Sequence, residues 1–336
     1  MLKTLCELNG TSGREEAVRA FLIAHLPQDV TYTVDALGNL IVEKRGAQRA
    51  KNKVMLASHM DEVGLIITYI TDDGFLRFAA VGGIDARALF GKAVKVGENA
   101  ISGVIGGKAV HQLTKDEKNT VPEIEDLLID IGARTKAEAE VLVSLGDNAY
   151  FDSEYIEFGD GFIKAKAIDD RAGNLVMLEM LQQDLPYDLI FCFTVQEEIG
   201  TRGAAAVTDT VAPDYAIVLE STTAADLPDV GGYRQVCKTG GGAVVGFMDR
   251  GTVYDKSLFD LAFRLAKENN IPCQTKTMVA GGNDASAIHK AAGGVKTVAV
   301  SVPCRYIHSA SCVAKKEDID SVARLSRVLA DTLAVL

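Results

Sequence analysis

Short apolar segments that end at a polar or charged residue recur along the chain. Their length and their content of β-branched and aliphatic residues are typical of strands in an α/β sheet. Ligands of open α/β sheets bind outside the carboxyl ends of the strands, so we expect these segment ends to converge although the sequence separates them widely. The segments are VMLAS before His59, KAKAI before Asp169, LIFCFTVQ before Glu197 and Glu198, AIVL before Glu220, and TVAVSVPCRYI before His308.

Helical patterns alternate with these strands. Ser12-Gly-Arg-Glu15 has the form of a capping box and precedes a run with apolar residues at helical spacing, which predicts a first amphipathic helix. Further helices are predicted from about Arg171 to Leu181, from Ser257 to Asn269, and at the end of the chain. In the final helix Ile319, Val322, Leu325, Val328 and Leu329 share one stripe.

The pattern changes between residues 67 and 162. Short strand-like runs are separated there by turn signals such as Asp72-Asp-Gly74 and Gly82-Gly83, which favours a small barrel or sandwich. One helix is predicted after Thr135, whose Thr-Lys-Ala-Glu sequence is a second capping box. We therefore predict a catalytic α/β domain formed by residues 1–66 and 163–336, interrupted by an inserted β-rich domain at 67–162. All the candidate functional residues lie in the α/β part.

Bulk composition excludes several classes of partner. The formal net charge is −11 and the pI is near 5.0, whereas nucleic-acid binding requires clustered Lys and Arg. No uninterrupted apolar run of about 18 residues is present, so no membrane span is expected, and the N-terminus has no pattern of an export signal. The six cysteines form no C-x-x-C pair, which favours a reduced, cytoplasmic protein.

Three short motifs carry candidate metal chemistry. In His59-Met-Asp61 the two side chains share a face if the strand continues, and a carboxylate beside an imidazole can accept its second N–H. Asp169-Asp170 places two carboxylates together, where a cation would relieve their repulsion. Of Glu197 and Glu198, one can bind a metal and the other can act as general base. Each motif also has a simpler interpretation: a strand-end His with a solvated Asp, an N-cap Asp, or a solvated acidic turn.

Glu220 and His308 complete this set. Two histidines and several carboxylates at one sheet edge are the ligands of a two-metal hydrolase. Mixed imidazole and carboxylate sites accept two divalent ions such as Zn, Co or Mn. His111 and His289 have no comparable setting and are expected to be structural.

The motifs SHMDEVG, KAIDDRAGN, QEEIGTRGA, LESTTAADLP, GGNDA and IHS resemble, in this order, those of the tetrahedral dinuclear aminopeptidases, a family that includes glutamyl aminopeptidase. The resemblance covers essentially the whole chain. It implies a mixed-sheet zinc-peptidase-like domain, an insert that dimerises, and dimers that assemble into a dodecamer. It also implies that His59 and Glu220 hold one metal, that Glu198 and His308 hold the other, and that Asp169 bridges them. Glu197 would be the general base, Asp61 would orient His59, and the Asp169–Asp170 peptide bond would be cis.

This chain departs from the family pattern at two positions. Glu220 stands where many relatives have Asp, and Asn283 stands where Thr is more usual. The expected function is a metal-dependent aminopeptidase acting on short peptides. A deacylase or dipeptidase using the same site, or a non-catalytic assembly protein, are the alternatives. Arg234 or Arg250 could select acidic N-terminal residues.

Overall fold

Three β-structures organise the chain, and the computed structural model describes all residues from Met1 to Leu336. They are an eight-stranded mixed sheet, a closed six-stranded barrel and a three-stranded antiparallel sheet. The strands in chain order are β1 (Val30–Val34), β2 (Leu40–Lys44), β3 (Val54–His59), β4 (Gly64–Ile70), β5 (Leu76–Val81), β6 (Ala93–Val96), β7 (Ile101–Gly106), β8 (Leu128–Asp130), β9 (Asn148–Phe151), β10 (Ile156–Phe158), β11 (Phe162–Ala165), β12 (Leu189–Thr194), β13 (Tyr215–Thr223), β14 (Ala243–Val245), β15 (Cys273–Thr275), β16 (Lys296–Cys304) and β17 (Cys312–Lys315).

The large sheet has a parallel centre. Its strand order is β1-β2-β12-β3-β13-β16-β14-β15, and β12, β3, β13 and β16 run parallel to one another. Almost every residue of these four strands is buried, because helices cover both faces of a sheet of this kind. The parallel direction brings the ends of β3 and β12 to the same edge, where His59 lies opposite Thr194.

Helices pack on both sides of this sheet. One face carries the core of 48 buried residues contributed largely by α1, α4, α6 and α8, and α5 and α7 pack on the other face. In the stripe predicted for the last helix, Ile319, Val322, Leu325 and Leu329 are buried, and Val328 is partly buried against the same core. No helix is long and apolar enough to cross a bilayer. The helices are α1 (Leu2–Glu7), α2 (Glu16–Ala24), α3 (Lys136–Leu142), α4 (Ile168–Leu181), α5 (Arg202–Val211), α6 (Lys256–Glu268), α7 (Ala285–Ile288) and α8 (Lys316–Leu333).

The barrel has the order β4-β5-β8-β7-β6-β9 and is antiparallel throughout. It encloses its own core of 17 buried residues, which include Leu65, Phe78 and Ile129. Thr135 caps α3 by accepting a hydrogen bond from the Glu138 N–H, which is one half of the predicted capping box; the Glu138 carboxylate instead accepts the Arg134 N–H at 2.9 Å. The predicted mixed α/β fold with a β-barrel insert is confirmed. The domain bounds at 66/67 and 162/163 stay predictions; the barrel strands run from Gly64 to Phe151.

Four local predictions were wrong. The strand expected before Asp169 ends at Ala165 and belongs to the three-stranded sheet, and Asp169 lies in the first turn of α4. Glu220 lies within β13 rather than after it, and β16 ends four residues before His308. Ser12 does not cap α2, because its hydroxyl bonds to a residue 49 positions away. Apolar pattern alone does not distinguish a strand end from the loop or helix turn that follows it.

Candidate metal centre

The first ligand cluster forms where β3 and β13 lie side by side. His59 is the last residue of β3, and its Nε2 lies 3.3 Å from Asp169 Oδ1 and 3.4 Å from Glu220 Oε1. Its Nδ1 lies 3.1 Å from the backbone carbonyl of Asp61. An Nδ1–H that donates to this carbonyl leaves the Nε2 lone pair directed at the two carboxylates. The three side chains can hold one metal ion.

The second cluster shares Asp169 with the first. Asp169 Oδ2 lies 3.5 Å from His308 Nε2, which in turn lies 3.2 Å from Glu198 Oε2. Asp169 therefore presents one oxygen to each histidine, the arrangement that a bridging ligand requires. The Asp169–Asp170 peptide bond is cis, as the resemblance implied.

The barrel reaches into this site through the loop after β5. His308 Nδ1 donates to the Gly83 carbonyl oxygen at 2.8 Å, which directs Nε2 towards Asp169 and Glu198. A Cβ on the preceding Gly82, whose φ is +89°, would lie 2.8 Å from a methyl carbon of Val63. The loop therefore needs glycine in order to approach so closely.

Asp61 holds the turn that carries both glutamates. One carboxylate oxygen accepts the Glu197 N–H at 3.0 Å, and the other accepts the Glu198 N–H at 3.1 Å. The Ser12 hydroxyl donates to the second oxygen at 2.6 Å. The same carboxylate lies 3.5 Å from His59 Nδ1, so Asp61 connects the histidine with the 197–198 turn and the N-terminal segment.

The electrostatics of both clusters favour added positive charge. Burial, reinforced by the charge of Asp169, raises the pKa of Glu198 to about 8, and burial raises the pKa values of Glu197 and Glu220 well above their ordinary range. Burial alone would lower the pKa of His308, but its contacts with Asp169 and Glu198 raise it to about 10. Several carboxylates in one buried place therefore retain protons unless cations neutralise them.

The side chains present fit divalent cations. Glu220 Oε2 is buried and has no hydrogen-bond partner in the protein, which is costly unless something binds it. The second cluster is more accessible than the first, since the His308 side chain is 35% exposed and that of His59 is 1% exposed.

Three supporting residues were not predicted to have a role at the site, although Gly83 and Asn174 lie in motifs that the sequence analysis noted. Ser12 was interpreted as a helix cap, Gly83 acts only through its carbonyl, and Asn174 holds the chain around the first cluster. The Asn174 Nδ2 donates to the backbone carbonyl oxygens of His59 at 2.7 Å and Asp170 at 3.1 Å. These partners are distant in sequence or act through the backbone, so only the fold identifies them.

Other predicted residues lie elsewhere. His111 and His289 belong to neither ligand cluster, and His289 Nδ1 bonds to the Ala285 carbonyl. Arg234 and Arg250 are exposed, and neither lines the pocket beside Glu220. The structure therefore gives no support for a role of these arginines in substrate specificity.

Comparison with known proteins identifies the family. The family model for M42 glutamyl aminopeptidase matches residues 38–325. A putative aminopeptidase of Acetivibrio thermocellus is 38% identical over 97% of this chain and 96% of its own length. The lysyl aminopeptidase of Pyrococcus furiosus is 30% identical over 99% of this chain and 96% of its own length. The solved TET1 peptidase of Pyrococcus horikoshii is 36% identical with a TM-score of 0.86, covering 98% of each chain. The chain therefore belongs to the M42 glutamyl aminopeptidase family and is a peptide-bond hydrolase with aminopeptidase function.

Proposed function

We propose that this aminopeptidase is dinuclear and metal-dependent, and that it removes N-terminal residues from short peptides. The observation that carries the proposal is the pair of ligand clusters that share Asp169. His59 and Glu220 would hold one divalent cation, Glu198 and His308 the other, and Asp169 would bridge them. Zn, Co and Mn are the candidate ions, because each accepts imidazole and carboxylate ligands.

The reaction needs a base beside these clusters, and we assign this role to Glu197, which directly precedes the ligand candidate Glu198 in the turn held by Asp61. Bound cations supply Lewis acidity, which lowers the pKa of a water molecule and polarises a carbonyl group. Glu197 takes a proton from the attacking water and returns it to the leaving amine. A carboxylate whose pKa is raised by burial is suited to this work near neutral pH. The bond from the Glu197 N–H to Asp61 fixes the backbone from which this side chain extends.

Substitution of Glu197 separates catalysis from metal binding. Glu197→Gln should lower kcat by about 10²- to 10⁴-fold, the usual contribution of a general base, while the metal content measured by mass spectrometry stays at two per chain. The exposed Glu140→Gln is the matched control. A Glu197→Gln enzyme with unchanged turnover would remove the base assignment.

Asp169→Asn tests the dinuclear arrangement. The substitution removes charge from both clusters, so the content of both metals should fall together. Loss of only one metal would show that Asp169 is not a bridge, and a wild-type protein that binds a single ion would contradict the dinuclear site.

A substrate panel separates the aminopeptidase from its alternatives. After loading with Zn, Co or Mn, the enzyme should release p-nitroaniline from unblocked aminoacyl-p-nitroanilides, should not act on N-acetylated ones, and should lose activity with a chelator. Hydrolysis of N-acetyl amino acids or of dipeptides alone would favour the deacylase or the dipeptidase. A non-catalytic assembly role has no support once the family is established.

The assembly and location of the enzyme are also part of the proposal. The Pyrococcus horikoshii relative can assemble into a tetrahedron or an octahedral shell. The barrel segment of this chain exposes large apolar side chains, namely Tyr69, Phe90, Val104, Val110, Val141 and Leu145, which are typical of an interface. A homo-oligomer, with a dodecamer as the expected size, should appear in sedimentation velocity. Six free cysteines support a cytoplasmic location.

A further inference from the structure

Four successive backbone N–H groups in the turn after β12, those of residues 195–198, donate to side chains from other parts of the chain. The first donates to Asn39 Oδ1 at 3.0 Å, and the second donates to Glu15 Oε1 at 3.2 Å. The third and fourth donate to the Asp61 carboxylate at 3.0 and 3.1 Å. Side chains rather than a neighbouring strand therefore hold the backbone that carries both active-site glutamates.

Glu15 is directed at this turn and not at its own helix. It occupies the N-cap position of α2, but its side chain makes no capping hydrogen bond there. Its Oε1 instead accepts the Gly13 N–H at 2.7 Å together with the Gln196 N–H, which lies 181 positions away in the chain. An N-cap side chain ordinarily satisfies the free N–H groups of its own helix, so Glu15 serves the turn at the expense of α2. Departures from local preference of this kind are expected at functional sites.

The carboxyl group of Glu15 is buried without a cation beside it. The residue is 3% exposed. Burial raises its pKa to about 7, and the neighbouring charge that acts on it, that of Asp61, is negative and raises the pKa further. Burying an acid in such surroundings is unfavourable for the fold. The chain therefore retains a destabilising side chain at the place where its oxygen meets the turn.

We propose that Glu15 is a positioning residue, which acts on the reaction through the backbone of the turn that carries Glu197 and Glu198. The inference rests on the proposed function, because it takes Glu197 as the general base. Gln196 has a φ of +56°, a left-handed conformation that is uncommon for residues other than glycine and requires support from its surroundings. The bond to Glu15 gives this support at the Gln196 N–H. Without it the turn relaxes, and a displacement of about 1 Å in a reacting group can lower the rate by about 100-fold.

Three substitutions of Glu15 separate its hydrogen bonds from its charge. Glu15→Gln removes the charge but keeps an oxygen in the place of Oε1, so it should retain most of kcat. Glu15→Ala removes the acceptor and should lower kcat by about 10- to 100-fold with little change in KM. Glu15→Asp keeps the charge but is shorter by one C–C bond of about 1.5 Å, so it should also lower kcat, and it serves as the test if Glu15→Ala does not fold. The adjacent, exposed Glu16→Ala is the matched control and should behave as wild type.

A double-mutant cycle shows whether Glu15 acts through the base. In the Glu197→Gln background, Glu15→Ala should have little further effect on kcat, because the group that Glu15 positions has already lost its function. The positioning role is overturned if Glu15→Ala lowers kcat by the same factor in both backgrounds, if it leaves kcat unchanged in the wild-type background, or if Glu15→Gln is as impaired as Glu15→Ala.

Amide hydrogen exchange gives a second readout that needs no turnover. The N–H groups of residues 196–198 should exchange faster in Glu15→Ala than in the wild type, and at the wild-type rate in Glu15→Gln. Unchanged exchange in Glu15→Ala overturns the role of Glu15 even if kcat falls. If the wild type cleaves no unblocked substrate, or if Glu197→Gln keeps full turnover, the proposed function fails instead, and the exchange comparison still decides whether Glu15 holds the turn.

Discussion

A buried charge triad close to the candidate metal centre gives a prediction about stability. Glu62, Lys166 and Arg171 are 2%, 3% and 0% exposed. Lys166 Nζ lies 2.6 and 2.9 Å from the two Glu62 carboxylate oxygens, and Arg171 Nη2 lies 3.7 Å from one of them. The triad has two positive charges and one negative charge. Removing the negative charge is therefore not equivalent to removing one of the positive charges.

Glu62→Gln should cost more stability than Lys166→Met. Without the Glu62 charge, two buried cations face each other without an anion, and breaking a buried pair in this way costs about 3–5 kcal/mol. Without Lys166, Glu62 keeps Arg171 and the Gly10 N–H that donates to it at 3.1 Å. The loss is then that of hydrogen bonds to a charged group, about 1.5–3 kcal/mol.

Urea unfolding at one fixed protein concentration measures this difference. The chain has no tryptophan, so circular dichroism is the suitable signal. Lys256→Ala is the control, because its partner Asp260 is also exposed and such pairs contribute about 0.3–0.5 kcal/mol. The reasoning fails if Lys166→Met is as costly as Glu62→Gln, or if Glu62→Gln is no more costly than the control.

Three further predictions concern separate parts of the chain. Ser12→Ala removes a 2.6 Å hydrogen bond to Asp61 and should lower kcat or metal affinity by about 10- to 100-fold. Unchanged kinetics and metal content would exclude a supporting role for Ser12. Gly64→Ala would place a Cβ 2.2 Å from Thr11 Cγ2 and should cost about 1–3 kcal/mol; Thr11→Ser should restore most of it in the double variant, and lack of rescue would refute the clash. Burial would raise the pKa of Asp226, but hydrogen bonds from neighbouring side chains outweigh this effect and lower it. The ionised Asp226 side chain therefore stabilises the fold fully above the ordinary pKa of an aspartate, and this stabilisation is lost as the pH falls through the lowered pKa. Unfolding of Asp226→Asn between about pH 5 and pH 2 should therefore depend less on pH than that of the wild type, and equal pH dependence would contradict the assignment.

The fold class could be predicted from the sequence because the patterns that identify strands and turns lie within single segments of the chain. The apolar run before His59 is long enough to define a buried strand, and the turn residues of the insert define short barrel strands. The same reasoning placed Asp169 and His308 at strand ends, which was wrong. Asp169 has a non-helical backbone, with φ −81° and ψ 108°, near the start of α4, and His308 lies in a loop with a φ of 59°. Periodicity contains no information about such conformations.

The supporting contacts could not be predicted, because they join segments far apart in the chain. Ser12 meets Asp61 across 49 positions, and Gly83 meets His308 across 225. A pattern within one segment identifies which residue types can bind metal, but the orientation of each side chain depends on tertiary packing.

The candidate metal centre is consequently formed by the whole chain rather than by the large sheet alone. The sheet supplies His59 and Glu220, the barrel orients His308 through the Gly83 carbonyl, and the N-terminal segment restrains Asp61 through Ser12. The barrel and the N-terminal segment also contact each other, because Asn148 Nδ2 donates to the Thr11 hydroxyl at 2.7 Å. Because the barrel orients His308 towards Asp169, we expect metal binding to depend on the docked barrel, and bound metal should then stabilise the folded chain as a unit.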